Sequence, residues 1–284
     1  MMREILLKSG VSVPAVGQGT WKIGDSADKR DREIAALGTG IECGMTLIDT
    51  AEMYGSGRSE ALVGEAIAPY DREKLFIVSK VLPQNAGRKG MRRSCEESLK
   101  RLKTDYLDLY LYHWIGDIPL PETVECLQGL KDSGLIREWG VSNFDTADMK
   151  ALEAVKYGKN CAAVQDLYHI GSRGTEFSLK PYLGKEGIVF MAYCPLAMGG
   201  RLRRGVADDP VLKRIAENHG ATVSQIMLAW VIRDGNTIAI PKSSSEKHTI
   251  ENARAADILL TDEELDMLDN EFPAPDRETP LDME

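Results

Sequence analysis

Four side chains suited to proton transfer stand where short apolar runs of the sequence end. Asp49 closes one such run, Tyr54 lies on the loop just after it, and Lys80 and His113 each follow a further run. A tyrosine hydroxyl, with a reference pKa of about 10, is too weak an acid to protonate an alkoxide well at neutral pH. A nearby ammonium lowers that pKa, and Lys80 could supply one if a carboxylate such as Asp49 keeps it charged. His113 could donate a hydrogen bond to a carbonyl oxygen, so the set predicts acid catalysis at a carbonyl group without a metal.

Each of these residues also has an ordinary structural interpretation when it is considered alone. Asp49 could cap a helix, and Lys80 could be a solvated lysine. His113 and Tyr54 could be hydrogen-bonded or packed core residues. The catalytic interpretation therefore requires a fold that brings four residues distant in sequence to one place.

Short apolar runs alternate along the chain with segments of helical period, and this alternation predicts βαβ units with a parallel sheet. The helical period is visible in Ser59–Ala68 and Glu122–Asp132. Glu4–Leu7 and Val11–Val13 flank Ser9-Gly10 and predict a small hairpin before the repeats. The predicted strands are Ala15–Thr20, Thr46–Asp49, Leu75–Ser79, Tyr106–Tyr112, Glu138–Ser142, Ala162–Gln165, Ile188–Tyr193 and Thr237–Ile240.

Helix punctuation supports the same segmentation. Asp209-Pro210 places an N-cap residue before a proline at the first helical position. Thr222 with Gln225 and Thr261 with Glu264 have the spacing of capping boxes. Gly235 is expected to close the helix that Thr222 opens.

The chain length of 284 residues suits one (β/α)8 barrel, which typically needs roughly 250 residues. No linker-like stretch divides the chain, so we expect a single domain over residues 1–284, with the hairpin capping the barrel. An open doubly wound sheet is the competing fold, but Gly17–Lys22 contains only the first half of a G-x-G-x-x-G motif. In a barrel, the carboxyl ends of the strands form the site, and the four candidate residues would meet there.

Composition excludes several other classes of protein. The net charge of −9 opposes binding to a nucleic-acid backbone, although local positive charge could hold an anionic ligand. The five cysteines are scattered and form no C-x-x-C pair, and no apolar run suits a signal peptide or a membrane span. We expect a cytoplasmic protein, a monomer or weak oligomer, without nucleic-acid or membrane partners. The positive groups concentrate at Arg201, Arg203 and Arg204 and in the stretch Lys242–Lys247.

Five motifs, in order along nearly the whole chain, resemble the aldo-keto reductase family and its bacterial branch that includes methylglyoxal reductases. The motif around the aspartate and tyrosine, Gly44–Gly55, resembles the family signature. The others are Ile77–Lys80, Asp105–Trp114, Gly140–Phe144 and Ile240–Ser243.

This resemblance implies reduction of a carbonyl by hydride transfer from NADPH, with NADH also possible. It makes Tyr54 the acid, Lys80 and Asp49 the residues that tune it, and His113 the residue that orients the substrate. Ser142, Asn143 and Gln165 would hold the nicotinamide carboxamide, to which their side chains offer donors and acceptors. Tyr193 would stack on the ring, and simple core packing is the alternative explanation for this residue. Further implied cofactor contacts are Thr20, Asp49, Cys194, Leu196, Gly200, Arg201, Lys242, Ser243, His248, Glu251 and Asn252.

Three features of this cofactor site need separate comment. Gly199-Gly200 would let the backbone approach a pyrophosphate, and a flexible surface loop is the alternative explanation for them. His248 stands where NADPH-preferring relatives often have an arginine for the 2′-phosphate, and histidine is charged only part of the time at pH 7. Cys194 replaces a serine common after the stacking tyrosine.

The substrate is expected to meet Trp21, Tyr54 and Trp114 at the mouth, with His113 at the floor. Trp21 could instead be a core residue. The connection from His113 to Pro121 is short, and only a brief polar tail follows Phe272. This brevity predicts an open site for small carbonyls such as methylglyoxal and simple aldehydes.

Two other functions fit a barrel with lysines at strand ends. A Schiff-base aldolase would use Lys80 or Lys242 as a nucleophile, and borohydride would trap its covalent adduct. A regulatory binding module similar to ion-channel β-subunits would keep the fold and the cofactor but turn over negligibly.

Overall fold

The computed structural model describes residues 2–198 and 205–284. Two predicted cofactor contacts, Gly200 and Arg201, lie outside these ranges, as do Gly199, Arg203 and Arg204. None of the helices in the described ranges is both long and apolar enough to cross a membrane.

Eight parallel strands, each hydrogen-bonded to the next in chain order, form the central sheet of the described residues. Between its first and last strands, Gly17 N donates to Ala239 O (2.8 Å) and Gly19 N donates to Pro241 O (3.0 Å). A Cβ atom on Gly19 would lie 2.6 Å from the carbonyl oxygen of Ile240, so glycine permits this close approach. The sheet therefore closes on itself, which confirms the predicted barrel and excludes the open doubly wound sheet. Its strands are β3 Gln18–Gly19, β4 Leu47–Asp49, β5 Phe76–Val81, β6 Leu107–Tyr112, β7 Ile136–Ser142, β8 Ala163–Leu167, β9 Val189–Tyr193 and β10 Thr237–Ala239.

The α-helices of the described residues surround the barrel, and most of them follow a barrel strand in the chain. Asp209 accepts hydrogen bonds from the amides of Val211 and Leu212, and both predicted capping boxes are present. Gly235 does not close its helix, because the helix ends at Val231 and Gly235 adopts its positive φ in the turn beyond. The helices are α1 Arg30–Glu42, α2 Arg58–Ala66, α3 Met91–Leu102, α4 Leu120–Asp132, α5 Thr146–Ala154, α6 Leu179–Glu186, α7 Pro210–Asn218, α8 Val223–Val231, α9 Glu246–Arg254 and α10 Asp262–Glu271.

The predicted hairpin is present as β1 Glu4–Leu6 and β2 Ser12–Pro14, with Ile5 opposite Val13. Ile5 and Val13 are buried, so one face of the hairpin covers the core. The Lys8 ammonium lies 3.4 Å from the carbonyl oxygen of Lys159, shortly before β8 begins. The hairpin therefore closes the end of the barrel where the strands start and leaves the opposite end open.

Burial of the strands on both faces explains why the polar residues within them need partners. Every residue of β5 is buried, including Ser79 and Lys80. An isolated ammonium in such a position would cost many kcal/mol, so it must be paired and hydrogen-bonded. The partners of Lys80 are found at the carboxyl ends of the neighbouring strands.

Candidate active site

The open end of the barrel contains a cavity of about 930 Å³. Its walls come from the carboxyl ends of the strands and the loops that follow them, which is where barrel enzymes carry their sites. The predicted residues that line it are Thr20, Trp21, Asp49, Tyr54, His113, Trp114, Ser142, Asn143, Gln165, Tyr193, Cys194, Leu196 and Lys242. Lys80 lies directly beneath Tyr54, within hydrogen-bond reach of its hydroxyl.

The Lys80 ammonium is the centre of the site and is almost completely buried. It donates to Asp49 Oδ1 (2.6 Å), the carbonyl oxygen of Thr50 (2.9 Å) and the Tyr54 hydroxyl (3.3 Å). Burial alone would lower the pKa of Lys80, but the charge of Asp49 and the Tyr54 contact raise it above its usual value. The lysine therefore keeps its positive charge throughout the physiological pH range.

Burial governs the ionisation of the Tyr54 phenol. Burial raises the pKa of Tyr54 above its usual value, and the Lys80 charge opposes that rise without reversing it. Sequence reasoning expected a net lowering, because it weighed the ammonium without the desolvation that accompanies it. The hydroxyl is thus a proton donor at neutral pH, and Lys80 would stabilise the phenolate left after the proton is transferred.

The loop that carries Tyr54 is fastened to the end of β5 by a neighbouring carboxylate. Glu52 accepts hydrogen bonds from the backbone amide of Leu82 (2.7 Å), from Asn85 Nδ2 (3.0 Å) and from the Ser94 hydroxyl. These contacts join a residue two positions before Tyr54 to a residue two positions after Lys80. Tyr54 and Lys80 therefore sit on segments that are tied to each other.

His113 follows β6 and faces Tyr54, with 6.1 Å between the ring centroids. Burial, and then the Lys80 charge, lower the pKa of His113 to about 3. The imidazole is therefore neutral and carries one ring N–H. Its Nδ1 is buried and has no hydrogen-bond partner among the described residues.

Gln165 and Ser142 form a second polar group beside Tyr54, and Asp49 connects this group to Lys80. Gln165 Nε2 donates to Asp49 Oδ2 (2.8 Å), while the Ser142 hydroxyl donates to the carbonyl oxygen of Gln165 (2.7 Å). All three side chains are buried or nearly so. Both carboxylate oxygens of Asp49 are therefore used, one by the lysine and one by the amide.

Asn143 links three strand ends across the same region. Its Nδ2 donates to the carbonyl oxygen of His113 (3.0 Å), and its Oδ1 accepts from the Tyr193 hydroxyl (2.8 Å). The backbone of Asn143 is left-handed, with φ of 59°, a conformation that asparagine tolerates better than most residues. Tyr193 thus has a hydrogen-bonded role and presents its ring to the cavity.

Of the predicted cofactor contacts between Lys242 and Asn252, one lines the cavity and the others do not. Lys242 lines the cavity, and its ammonium contacts the Ser244 hydroxyl. The Ser243 hydroxyl instead accepts from the Ser245 amide (3.2 Å) and donates to the Ser245 carbonyl (2.9 Å), just before α9. Three further predicted residues lie on α9 and do not line the cavity. These are His248, which is exposed, Glu251, whose carboxylate lies 3.9 Å from the Lys247 ammonium, and Asn252, which is buried.

The mouth of the cavity is more apolar than the sequence suggested. Trp21 is 36% exposed, so the interpretation of this residue as part of the core is wrong. Sequence reasoning missed several further lining residues, because exposed methionines and isoleucine on loops carry no periodic signal. They are Met53, Ile115, Met198 and Met283.

The polar tail after Phe272 forms part of the cavity wall. Arg173 Nη1 donates to the carbonyl oxygen of Phe272 (2.5 Å), and the Ser178 hydroxyl donates to Glu278 Oε1 (2.6 Å). These contacts hold the tail on the loop after β8, and Met283 and Glu284 reach the cavity wall. The sequence did not predict this contribution of the tail to the wall, because a tail without apolar periodicity is held by polar contacts with residues distant in sequence.

Comparison with known proteins gives a consistent result. The model of the aldo/keto reductase family matches residues 15–271. The chain is 49% identical to the methylglyoxal reductase YeaE of Escherichia coli K12 over the full length of both chains. It is 35% identical to the glyoxal reductase of Bacillus subtilis 168, and this match covers 93% of this chain and 91% of the relative. An aldo/keto reductase from Klebsiella pneumoniae, crystallised with NADP and acetate, is 49% identical, with a TM-score of 0.97 and full coverage of both chains. The protein described here belongs to the aldo/keto reductase family.

Proposed function

We propose that this protein is an NADPH-dependent reductase of small aldehydes and ketones in which Tyr54 is the general acid. One observation carries the proposal. The Lys80 ammonium lies between the Asp49 carboxylate and the Tyr54 hydroxyl, beneath a cavity that extends to the cation Lys242. An acid with a fixed charge beside it suits protonation of a developing alkoxide.

The residues that line the cavity fit a nicotinamide dinucleotide. Ser142, Asn143 and Gln165 offer hydroxyl and amide groups that match a carboxamide, and the aromatic face of Tyr193 suits a flat ring. Lys242, beside the start of α9, suits a phosphate, because helix N-termini and ammonium groups both attract anions. NADPH supplies a hydride when it is bound. The Klebsiella relative crystallised with NADP supports this choice of cofactor.

The side chains of the protein divide the remaining work between them. Neutral His113 donates a hydrogen bond to the carbonyl oxygen of the substrate and fixes its orientation. Tyr54 transfers its hydroxyl proton to the same oxygen as negative charge develops there. Lys80 stabilises the phenolate that remains, and Asp49 keeps Lys80 charged while the proton is absent.

Lys80 is poorly suited to the Schiff-base alternative. A lysine nucleophile must be deprotonated, whereas the Asp49 carboxylate and the Tyr54 contact raise the pKa of Lys80. Borohydride treatment with a carbonyl compound is accordingly expected to leave no adduct on Lys80.

Methylglyoxal is the substrate we propose to test first, because two relatives at 49% and 35% identity are named as methylglyoxal and glyoxal reductases. The experiment follows the loss of NADPH absorbance with methylglyoxal and a panel of small aldehydes. The wild-type protein should turn over several of them. Binding of NADPH without any turnover would favour a regulatory binding module instead.

Tyr54→Phe tests the identity of the acid. It should lower kcat by about 10²- to 10⁴-fold, the usual contribution of a general acid, and leave the NADPH dissociation constant within about twofold because the ring remains. Tyr110→Phe is the matched control, since Tyr110 is a buried tyrosine that does not line the cavity. Wild-type turnover by the Tyr54→Phe variant would refute the assignment.

A further inference from the structure

A buried carboxyl group lies directly behind the Asn143 turn and has no role in the chemistry described so far. Asp166 follows Gln165 on β8 and is 1% exposed. Its Oδ1 accepts a hydrogen bond from the backbone amide of Phe144 (3.3 Å), and its Oδ2 has no partner within residues 2–198 and 205–284. Desolvation raises the pKa of Asp166 to about 8, although the backbone amides of Asn143 and Phe144 oppose this rise.

The charged and titratable groups around Asp166 offer it no compensation. Asp145 and Asp148, at the start of α5, both raise its pKa, and the Tyr193 phenol on β9 interacts with it unfavourably when both are ionised. No salt bridge to Asp166 occurs in the described part of the chain. An aliphatic residue of similar volume would avoid the desolvation of this carboxyl, so packing does not explain why an aspartate stands here.

The contact with Phe144 explains what the carboxyl can do. Residues 142–144 turn away from β7 through the left-handed backbone of Asn143, which costs asparagine less than most residues but more than glycine, so surrounding contacts must hold it. Two hydrogen bonds from the backbone hold this turn against β8. One runs from the Asn143 amide to the carbonyl oxygen of Gln165 (3.1 Å), and the other from the Phe144 amide to Asp166.

The direction of the Asn143 side chain depends on this turn. If the Phe144 amide were released, Asn143 could relax toward an ordinary φ, and its side chain would leave the His113 carbonyl and the Tyr193 hydroxyl. The effect would fall on the amide that lines the cavity and not on Tyr54 or Lys80. Strain held at a functional position by surrounding contacts is a recurrent property of binding sites.

We propose that Asp166 is a positioning residue for the nicotinamide end of the cofactor, holding the Phe144 amide and thereby the strained turn that aims Asn143 into the cavity. This inference rests on the proposed function, since it concerns how the same site binds NADPH. It assigns to Asp166 an effect on cofactor affinity that is separate from the acid chemistry.

Two substitutions at Asp166 separate its acceptor from its charge. Asp166→Leu removes the acceptor and keeps the number and branching of the side-chain heavy atoms, and we expect the NADPH dissociation constant to rise about tenfold, as for loss of one hydrogen bond. Asp166→Asn keeps a carbonyl oxygen for Phe144, so the dissociation constant should stay within about twofold of the wild type. In both variants kcat at saturating NADPH should change less than the dissociation constant.

Thermal unfolding at pH 8 distinguishes positioning from a merely structural role. In the unfolded chain Asp166 ionises near pH 4, whereas in the folded protein it stays protonated up to about pH 8. The unfolded state therefore holds fewer protons in this window, and the wild type loses stability as pH rises through it. Both variants lack this loss, so their Tm at pH 8 should equal or exceed that of the wild type. Val164→Ala is the matched control on the same strand and face, and it should lower the Tm without changing NADPH affinity.

Each outcome has a defined meaning. If Asp166→Leu binds NADPH as tightly as the wild type, Asp166 does not position the site. If Asp166→Leu unfolds or has a much lower Tm at pH 8, the residue is structural and the proposal is equally refuted. If the wild type itself does not bind NADPH, the proposed function fails and this inference fails with it.

Discussion

Asp49→Asn removes the charge of Asp49 and keeps its shape, so it tests whether this carboxylate keeps Lys80 charged. In Asp49→Asn, the Lys80 ammonium loses the carboxylate 2.6 Å away and remains among buried groups. Desolvation, which lowers the pKa of Lys80, would then be opposed only by Tyr54 and the carbonyl oxygen of Thr50. We expect the lysine to lose its proton within the range where the wild type keeps it.

The size of this change follows from the distance. At 2.6 Å and an effective dielectric constant of about 20, the attraction between unit charges is roughly 6 kcal/mol. Its loss should therefore bring the pKa of Lys80 in the variant well below that of the wild type, as for other buried lysines that lack a counter-ion. Because the ammonium is the form that stabilises the Tyr54 phenolate, activity should persist below this pKa and be lost as pH rises through it.

The measurement is kcat for NADPH-dependent reduction between pH 5 and 9 at saturating substrate. Over this range the wild-type kcat should not fall through titration of Lys80, since the pKa of Lys80 is raised. In Asp49→Asn, kcat should fall about tenfold for each pH unit above the lowered pKa of Lys80. Glu60→Gln is the control, because Glu60 is equally buried and pairs with Arg101 (2.6 Å) and Ser79 (2.6 Å) next to Lys80. It should lower stability and keep the wild-type profile. A flat profile with wild-type kcat in Asp49→Asn would show that Asp49 does not keep Lys80 charged.

Two further predictions concern the ends of the cavity. Lys242→Met should raise the KM for NADPH about tenfold or more and leave the KM for NADH within about twofold, because only NADPH carries a 2′-phosphate. Parallel titrations of both cofactors test this, and an equal rise in both KM values would show that Lys242 does not bind the 2′-phosphate. Met283→Ala removes an apolar side chain that reaches the cavity wall from the tail. The KM for aromatic aldehydes should therefore change several-fold, while the KM for methylglyoxal changes little. Identical changes in KM for both substrates would refute a role for the tail in substrate selection.

Much of the architecture follows from short-range patterns in the sequence. Each predicted barrel strand overlaps an observed one, and their bounds differ by only a few residues. This agreement arises because buried parallel strands are continuous apolar runs that end at polar residues. The polar ends then located the site, since all parallel strands of a barrel deliver their carboxyl ends to one rim. Asp49, Lys80 and His113 could therefore be gathered from a single principle of topology.

The features that sequence reasoning missed depend on long-range contacts or on burial. The tail was judged by its composition, but its position depends on Ser178 and Arg173, which are distant from it in the chain. The direction of the Tyr54 pKa depends on the balance between desolvation and one charge, and a sequence supplies only the charge. Asp166 drew no attention because an aspartate after a glutamine carries no sign that it is buried without a counter-ion.

The Asp49 carboxylate is shared by the Tyr54–Lys80 side of the site and by the Gln165 side, so a change on one side can affect the other. Asp49 uses Oδ1 for Lys80 (2.6 Å) and Oδ2 for Gln165 (2.8 Å), so the acid and the amide that lines the cofactor cavity are fixed relative to each other. A carboxylate held by two buried partners cannot rotate to favour one without releasing the other. The Asn143 turn connects to Lys80 less directly, because its amide donates to the backbone carbonyl oxygen of Gln165 (3.1 Å) and its side chain donates to the His113 carbonyl oxygen (3.0 Å). A disturbance at Gln165 should therefore alter the proposed acid chemistry through Asp49, whereas a disturbance at Asn143 or Asp166 should act first on cofactor binding.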